Sequence, residues 1–149
     1  MTTHQEPPLV PIDDALFTSI EPHGQLIGSR CRDCTHVAFP RQYSCPGCGG
    51  SAPEPLPLSR IGTLWTWTIQ NFRPKPPFGL PDDDDFEPYG VGYIELAGEV
   101  RVESRLTIAD PDQLFIGMPM KLTFVPLWVE DGQQLVTYAF EPLRQEVLA

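Results

Sequence analysis

All four cysteines of the chain lie between positions 31 and 48, as Cys31-Arg32-Asp33-Cys34 and Cys45-Pro46-Gly47-Cys48 with ten residues between the pairs. Two such pairs can bring four thiolates to the corners of a tetrahedron. That geometry suits Zn²⁺, which is borderline-soft and has no d-electron preference to satisfy. Asp33, Thr35, Pro46, Gly47, Gly49 and Gly50 flank the pairs and permit the sharp turns that point two sulfurs the same way. Two disulfides would suit an oxidising compartment, but the N-terminus does not resemble a signal peptide. A single Cys-x-x-Cys can be a redox pair, which the second pair argues against. An iron–sulfur cluster would use the same four thiolates and stays open on sequence alone. The expectation is one structural Zn²⁺ on Cys31, Cys34, Cys45 and Cys48. Arg30, Arg32 and Arg41 stand near enough in sequence to offset the charge of such a site. A closed four-sulfur site has no open coordination position, so it folds a ribbon and performs no chemistry.

Other chemistry-bearing residues are sparse. His4, His23 and His36 read as surface histidines or supports, His36 beside the second cysteine being able to orient a knuckle. The glycines after Pro46 are knuckle turns and lack the strand-to-helix context of a phosphate cradle. No nucleophile elbow or acid–base pair can be picked out. Trp65 and Trp67 are expected in the core, with stacking on an aromatic ligand as the alternative.

A segment from Asn71 to Pro88 is too long for an ordinary hairpin of about 2–5 residues. It carries five prolines, Arg73, Lys75 and the run Asp82-Asp83-Asp84-Asp85. Four adjacent carboxylates repel one another and favour water, so that run reads as a solvated tip. It lacks the spaced ligands of a calcium loop. Phe72, Phe78, Phe86 and Tyr89 offer apolar area at low entropic cost, which suits docking of a partner.

The formal net charge is −10. Residues 1–60 hold four cationic and six acidic side chains, residues 61–149 six and fourteen. A polyanion would approach that second part against repulsion, which counts against nucleic acid as a ligand. No apolar run approaches the roughly 20 residues of a membrane-spanning helix, and the chain is expected to be soluble and cytoplasmic. Its 18 prolines point to extended and turning segments with little helix.

The elements that must position these residues follow from periodicity. Residues 1–11 read as a loose extension. A short helix is expected next, capped by Asp13 or Asp14, with Ile12, Leu16 and Ile20 on one face and Pro22 and Gly24 ending it. Too short to be stable alone, that helix must pack on its own barrel or ribbon, or on a partner. Leu26–Arg30 reads as a strand delivering Cys31, and Phe39 and Tyr43 as ribbon packing. Ser51–Leu58, with Pro53, Pro55 and Pro57, reads as a stiff linker. From Ile61 onward the pattern has period two in five runs, clearest from Val100 to Ile108, with tight links at 96–99 and at Glu130-Asp131-Gly132. Five short strands suit a small closed barrel of the oligonucleotide/oligosaccharide-binding (OB) type. The expected architecture is mainly β: tail and short helix (1–24), zinc ribbon and linker (25–58), and five-stranded OB barrel (59–149).

These motifs in this order resemble a known family. Gly24-Gln25-Leu26 runs into Cys31-x-x-Cys34, Phe39-Pro40-Arg41 precedes Cys45-Pro46-x-Cys48, and Ile61-Gly62-Thr63-Leu64-Trp65-Thr66 opens the barrel. Glu87-Pro88-Tyr89-Gly90-Val91-Gly92-Tyr93 continues it, followed by Ile116-Gly117-Met118-Pro119 and Phe140-Glu141-Pro142. Over about residues 12–142 the chain is similar to the rubredoxin-like zinc-ribbon plus OB-fold family associated with acyl-CoA metabolism, long catalogued as a domain of unknown function. The resemblance implies an accessory subunit of a thiolase-superfamily enzyme. Such enzymes include acetoacetyl-CoA thiolase/HMG-CoA synthase assemblies and lipid-transfer-protein-like aldolases that cleave steroid side chains; some relatives are fused to MaoC-type enoyl-CoA hydratases. The partner would carry the chemistry, while this subunit stabilises it and lines the CoA entrance. Thr35 stands where many relatives have Gly, and the Asp82–Asp85 run is unusual. That run would repel CoA phosphates, which leaves Arg73 and Lys75 as their nearer neighbours. Single-stranded nucleic-acid binding is the alternative that ribbon plus barrel suggests, opposed by the net charge. An independent enzyme or acyl-binding carrier is a third, with no residues to support it.

Overall fold

The computed structural model describes residues 7–71, 87–96 and 99–143. Its elements are β1 (Leu9–Pro11), a 3₁₀ turn (Asp14–Leu16), β2 (Ile27–Cys31), β3 (Val37–Ala38), β4 (Pro53–Pro57), β5 (Ile61–Gln70), β6 (Tyr89–Glu95), β7 (Arg101–Leu106), β8 (Pro119–Glu130) and β9 (Gln133–Pro142). Three strands make the ribbon, in the order β3-β2-β4, and the others make a six-stranded sheet in the order β1-β9-β7-β6-β5-β8. An additional β8–β9 pairing closes five of those six into a ring. Only the β7–β9 pairing within that ring is parallel. Closed five-stranded order with that one crossover is the OB topology, and it removes the sheet's exposed edges.

β7 shows the pattern most plainly: Val102, Ser104 and Leu106 face inward while Arg101, Glu103 and Arg105 face water. Asp131 and Gly132 turn β8 into β9 with φ of 51° and 77°. Both values lie in the left-handed region that a two-residue turn of matching twist requires, as Glu130-Asp131-Gly132 predicts. The other link, at 96–99, includes residues outside those described.

Three expectations change. The N-terminal helix is a single 3₁₀ turn, capped by Asp13, whose Oδ1 accepts from the Ala15 N–H at 2.9 Å. Phe17 is already extended and bridges Leu26, because pairing along the chain outcompetes a helix too short to hold itself. Leu16 and Ile20 still pack on the chain's own core, whereas Ile12 is exposed. The supposed loose extension contains β1, which pairs in parallel with Gln134–Val136 of β9. Lastly, the supposed linker is β4, an edge strand antiparallel to β2 from Ile27↔Pro57 to Cys31↔Pro53. Prolines fit a strand only where their missing N–H faces away from the ladder. Pro53, Pro55 and Pro57, spaced by two, all share that side and block further pairing.

Ribbon and barrel share one core. Phe17, Leu26 and Leu58 from the N-terminal part join Leu64, Ile94, Leu106, Met120, Leu122 and Phe140 of the barrel. The Phe17 ring stands edge-on to Phe124 at 5.3 Å and to Tyr138 at 6.1 Å, and Phe39 meets Tyr138 at 5.7 Å. Phe39 therefore packs across to the barrel, while Tyr43 is exposed with the Arg41 guanidinium over its ring. Phe17→Ala should lower unfolding free energy by about 3 to 5 kcal/mol. Tryptophan fluorescence and ribbon-metal release should still change in one denaturant transition. Two separated transitions in the wild type would mean that the shared core does not couple the parts.

Candidate functional site

β2 carries Cys31 to its end, where the chain turns back on itself. The Cys31 N–H donates to the His36 carbonyl and the Thr35 N–H to the Cys31 carbonyl, both at 2.9 Å. The second knuckle repeats the loop: Cys45 N–H to Gly50 carbonyl and Gly49 N–H to Cys45 carbonyl, both at 2.8 Å. The residue after each pair's second cysteine is left-handed, Thr35 at φ 65° and Gly49 at φ 74°. Glycine takes that conformation freely, whereas a β-branched residue is strained in it. The two turns thus share one backbone conformation, filled by threonine in the first and glycine in the second.

The two loops bring all four sulfurs within 4.8 Å of one another. Cys31 Sγ is 3.8 Å from Cys48 Sγ, and Cys34 Sγ is 3.4 Å from Cys45 Sγ. A tetrahedron with metal–sulfur bonds of about 2.3 Å has edges of about 3.8 Å, so the donor set fits a metal ion. Cys31 and Cys45 are buried while Cys34 and Cys48 reach the surface. The Cys45 sulfur accepts from the N–H groups of Gly47 at 3.3 Å and Cys48 at 3.4 Å. The Cys48 N–H is the strongest influence on that thiol, and with Cys34 and Gly47 it outweighs burial and lowers the pKa to about 6. At Cys34 the His36 N–H pulls down, but the Cys45 sulfur, burial and the other two sulfurs push the thiol up to about 12. A bound cation would displace the thiol protons from this cluster.

The expected supports divide. Arg32 Nε pairs with Glu54 Oε2 at 3.0 Å, tying the first knuckle to β4. Both side chains are largely exposed, so the pair holds position more than it stabilises. Arg41 lies over Tyr43. His36 packs over Gly47: a Cβ placed there would meet the His36 Cβ and Cγ at 3.2 Å. It braces the second knuckle and is not among the clustered sulfur ligands. His23 is exposed.

Of the residues expected near a partner or CoA, Phe72, Arg73, Lys75, Phe78 and Phe86 lie outside the described residues, as does Asp82–Asp85. Tyr89 opens β6 under the Arg105 guanidinium at 4.4 Å. With Glu87, Arg105, Thr107 and Val125 it lines a cavity of about 360 Å³ on the barrel. Trp67 packs on the core as expected, but Trp65 does not. The β5–β6 register shifts between Leu64 and Thr66. That bulge sends Leu64 and Trp67 inward and leaves Trp65 outside, beside Tyr93 and beneath Arg101 at 4.0 Å. Strict alternation could not find this cluster; its outward β7 arginines were the available signal.

Residues 18–54 match the family model described as the ChsH2 rubredoxin-like zinc ribbon domain, and residues 56–125 the ChsH2 C-terminal OB-fold domain. A DUF35 domain-containing scaffold protein of Methanocaldococcus jannaschii is 29% identical over 78% of this chain and 79% of its own length. The benzoylsuccinyl-CoA thiolase subunit BbsA of Thauera aromatica is 31% identical, covering 79% of this chain and 76% of its own. Among solved structures, a chain of the Ltp2-ChsH2(DUF35) aldolase superposes with TM-score 0.58 at 25% identity, over 89% of this chain and 96% of that one.

Two substitutions test the metal centre. Cys45→Ser removes the sulfur that takes two N–H bonds, and metal per chain measured by atomic absorption should fall several-fold, with the ribbon's protease resistance lost. Full metal content in that variant would refute the four-sulfur site. Thr35→Gly should stabilise the ribbon by about 1 kcal/mol by relieving the left-handed turn. A slower release of metal to chelator would register this; faster release would show that the Thr35 side chain matters more than its strain.

Proposed function

Because this chain belongs to the ChsH2 family of zinc-ribbon and OB-fold proteins, the DUF35 proteins, we propose that it is a non-catalytic accessory subunit. It binds and stabilises a thiolase-superfamily enzyme that makes or breaks carbon–carbon bonds in acyl-CoA thioesters. The observation that carries this reading is the likeness, over most of both chains, to proteins named as a thiolase subunit and as part of an aldolase complex. The four clustered sulfurs support it: they close a coordination sphere, so one Zn²⁺ there holds the ribbon and offers no position to substrate. Within this reading the substrate is an acyl-CoA held chiefly by the partner, and aldol cleavage of a steroid side chain is the specific reaction the resemblance favours. Arg73 and Lys75 stand nearest the CoA phosphates, and Phe72, Phe78, Phe86 and Tyr89 border the partner. The assembly works in the cytoplasm. Single-stranded nucleic acid is the weaker reading, since a polyanion approaches a chain of net charge −10 against repulsion.

Co-expression with each thiolase-fold protein of the source genome tests the proposal. One of them should copurify in fixed stoichiometry and show thioester-dependent turnover only when both chains are present. Turnover by the purified 149-residue chain, or failure to associate with any such protein, would refute it.

A further inference from the structure

Five of the large apolar side chains left exposed by the fold are not scattered. Ile61 and Trp65 project from the same face of β5, and Tyr93 on β6 stands edge-on to Trp65 at 6.2 Å. The connection from β7 to β8 brings Phe115 and Ile116 alongside. Gly117 N–H donates to the Leu64 carbonyl at 2.7 Å, and Leu64 N–H to the Met118 carbonyl at 2.9 Å, right beside Trp65 in the chain. Each of the five is between 40% and 70% exposed. Arg101 completes the group from β7, its guanidinium 4.0 Å from the centre of the Trp65 ring. Tryptophan, tyrosine and arginine clustered around apolar neighbours make up the composition of an interface centre. The bulge that puts Trp65 outside and Trp67, two residues on, against the core is a built feature, since regular alternation would hold the two on one face.

The surroundings of the patch bear on its occupant. Glu95 is opposite Arg101 across β6–β7 and Glu103 is opposite Tyr93, with Glu99 just before β7. A second copy would bring two chains of net charge −10 together and set the same carboxylates against each other across a two-fold axis. A different protein with an apolar centre and a basic rim meets both halves of the patch. Burying Arg101 on Trp65 away from water would strengthen their attraction.

We propose that the outward face of β5, β6 and β7, centred on Trp65, Tyr93 and Arg101, is the surface on which the thiolase-like catalytic subunit docks through an apolar patch rimmed by cationic side chains. This rests on the accessory-subunit reading above.

The test uses the full chain, with bound metal, against the thiolase-fold protein that copurifies with it. Trp65→Ala and, separately, Arg101→Ala should raise the Kd by roughly 30-fold or more, with thermal unfolding and metal content at wild-type values. Tyr43→Ala, on the ribbon, should leave the Kd unchanged. Wild-type affinity should also fall as salt is raised. Should Trp65→Ala fail to fold, Arg101→Ala and Tyr93→Ser decide the matter. Wild-type binding that persists in these variants would overturn the docking face while leaving the subunit reading intact. A wild-type chain that dimerises in solution and is made monomeric by Trp65→Ala would also overturn it, in favour of a second copy. No association between wild-type chain and any thiolase-fold protein of the source genome would overturn both.

Discussion

A ribbon of about 35 residues cannot bury enough apolar surface to fold by itself. Everything in this structure depends on how that deficit is met. At one end four sulfurs come within 4.8 Å of one another, a distance that suits a shared cation and little else. At the other, Phe17, Leu26 and Leu58 enter the barrel's core. The short strands between need only hold the two ends in line, and β4 does so with alternate prolines that no other strand can pair with.

How much of this could be read from the residues depends on the range of the interaction involved. The cysteine pairs are local signals, because a knuckle is a single turn whose hydrogen bonds close within five residues. The alternation of β7 is equally local, since Val102, Ser104 and Leu106 face one core and their neighbours face water. The Asp131-Gly132 turn is set by two residues. Pairing partners are different. β1 is extended because Gln134–Val136 offers it a ladder, and nothing within residues 7–16 records that. Apolar spacing from Ile12 to Ile20 suits a helix equally well, and the bridge from Phe17 to Leu26 decides against it. Prolines at 53, 55 and 57 fit a free polyproline segment or an edge strand. Only β2 makes them the latter.

Trp65 illustrates the same limit at the scale of one residue. Period-two alternation is continuous by construction, so a bulge, which changes its phase, is invisible to it. Leu64 and Trp67 lie on opposite phases and yet both turn inward. The site that mattered chemically was therefore legible where chemistry is written in spacing, as for the four cysteines. It was not legible where exposure is the property of interest. The molecule separates these features in space: four clustered sulfurs in the ribbon, a cavity by Tyr89 at one end of the barrel sheet, and an aromatic–arginine cluster around Trp65.

The position of β9 has a consequence for synthesis. It is the last strand among the described residues, and β1, β7 and β8 all pair with it. All four cysteines are made well before it, but the barrel stays an open sheet until residues 133–142 emerge. Contacts between positions 9 and 134 are among the most distant a chain of this length can form, which makes closure a slow, late event. Barrel closure waits for β9, and a ribosome stalled between β8 and β9 holds a chain whose sheet edges are still unpaired.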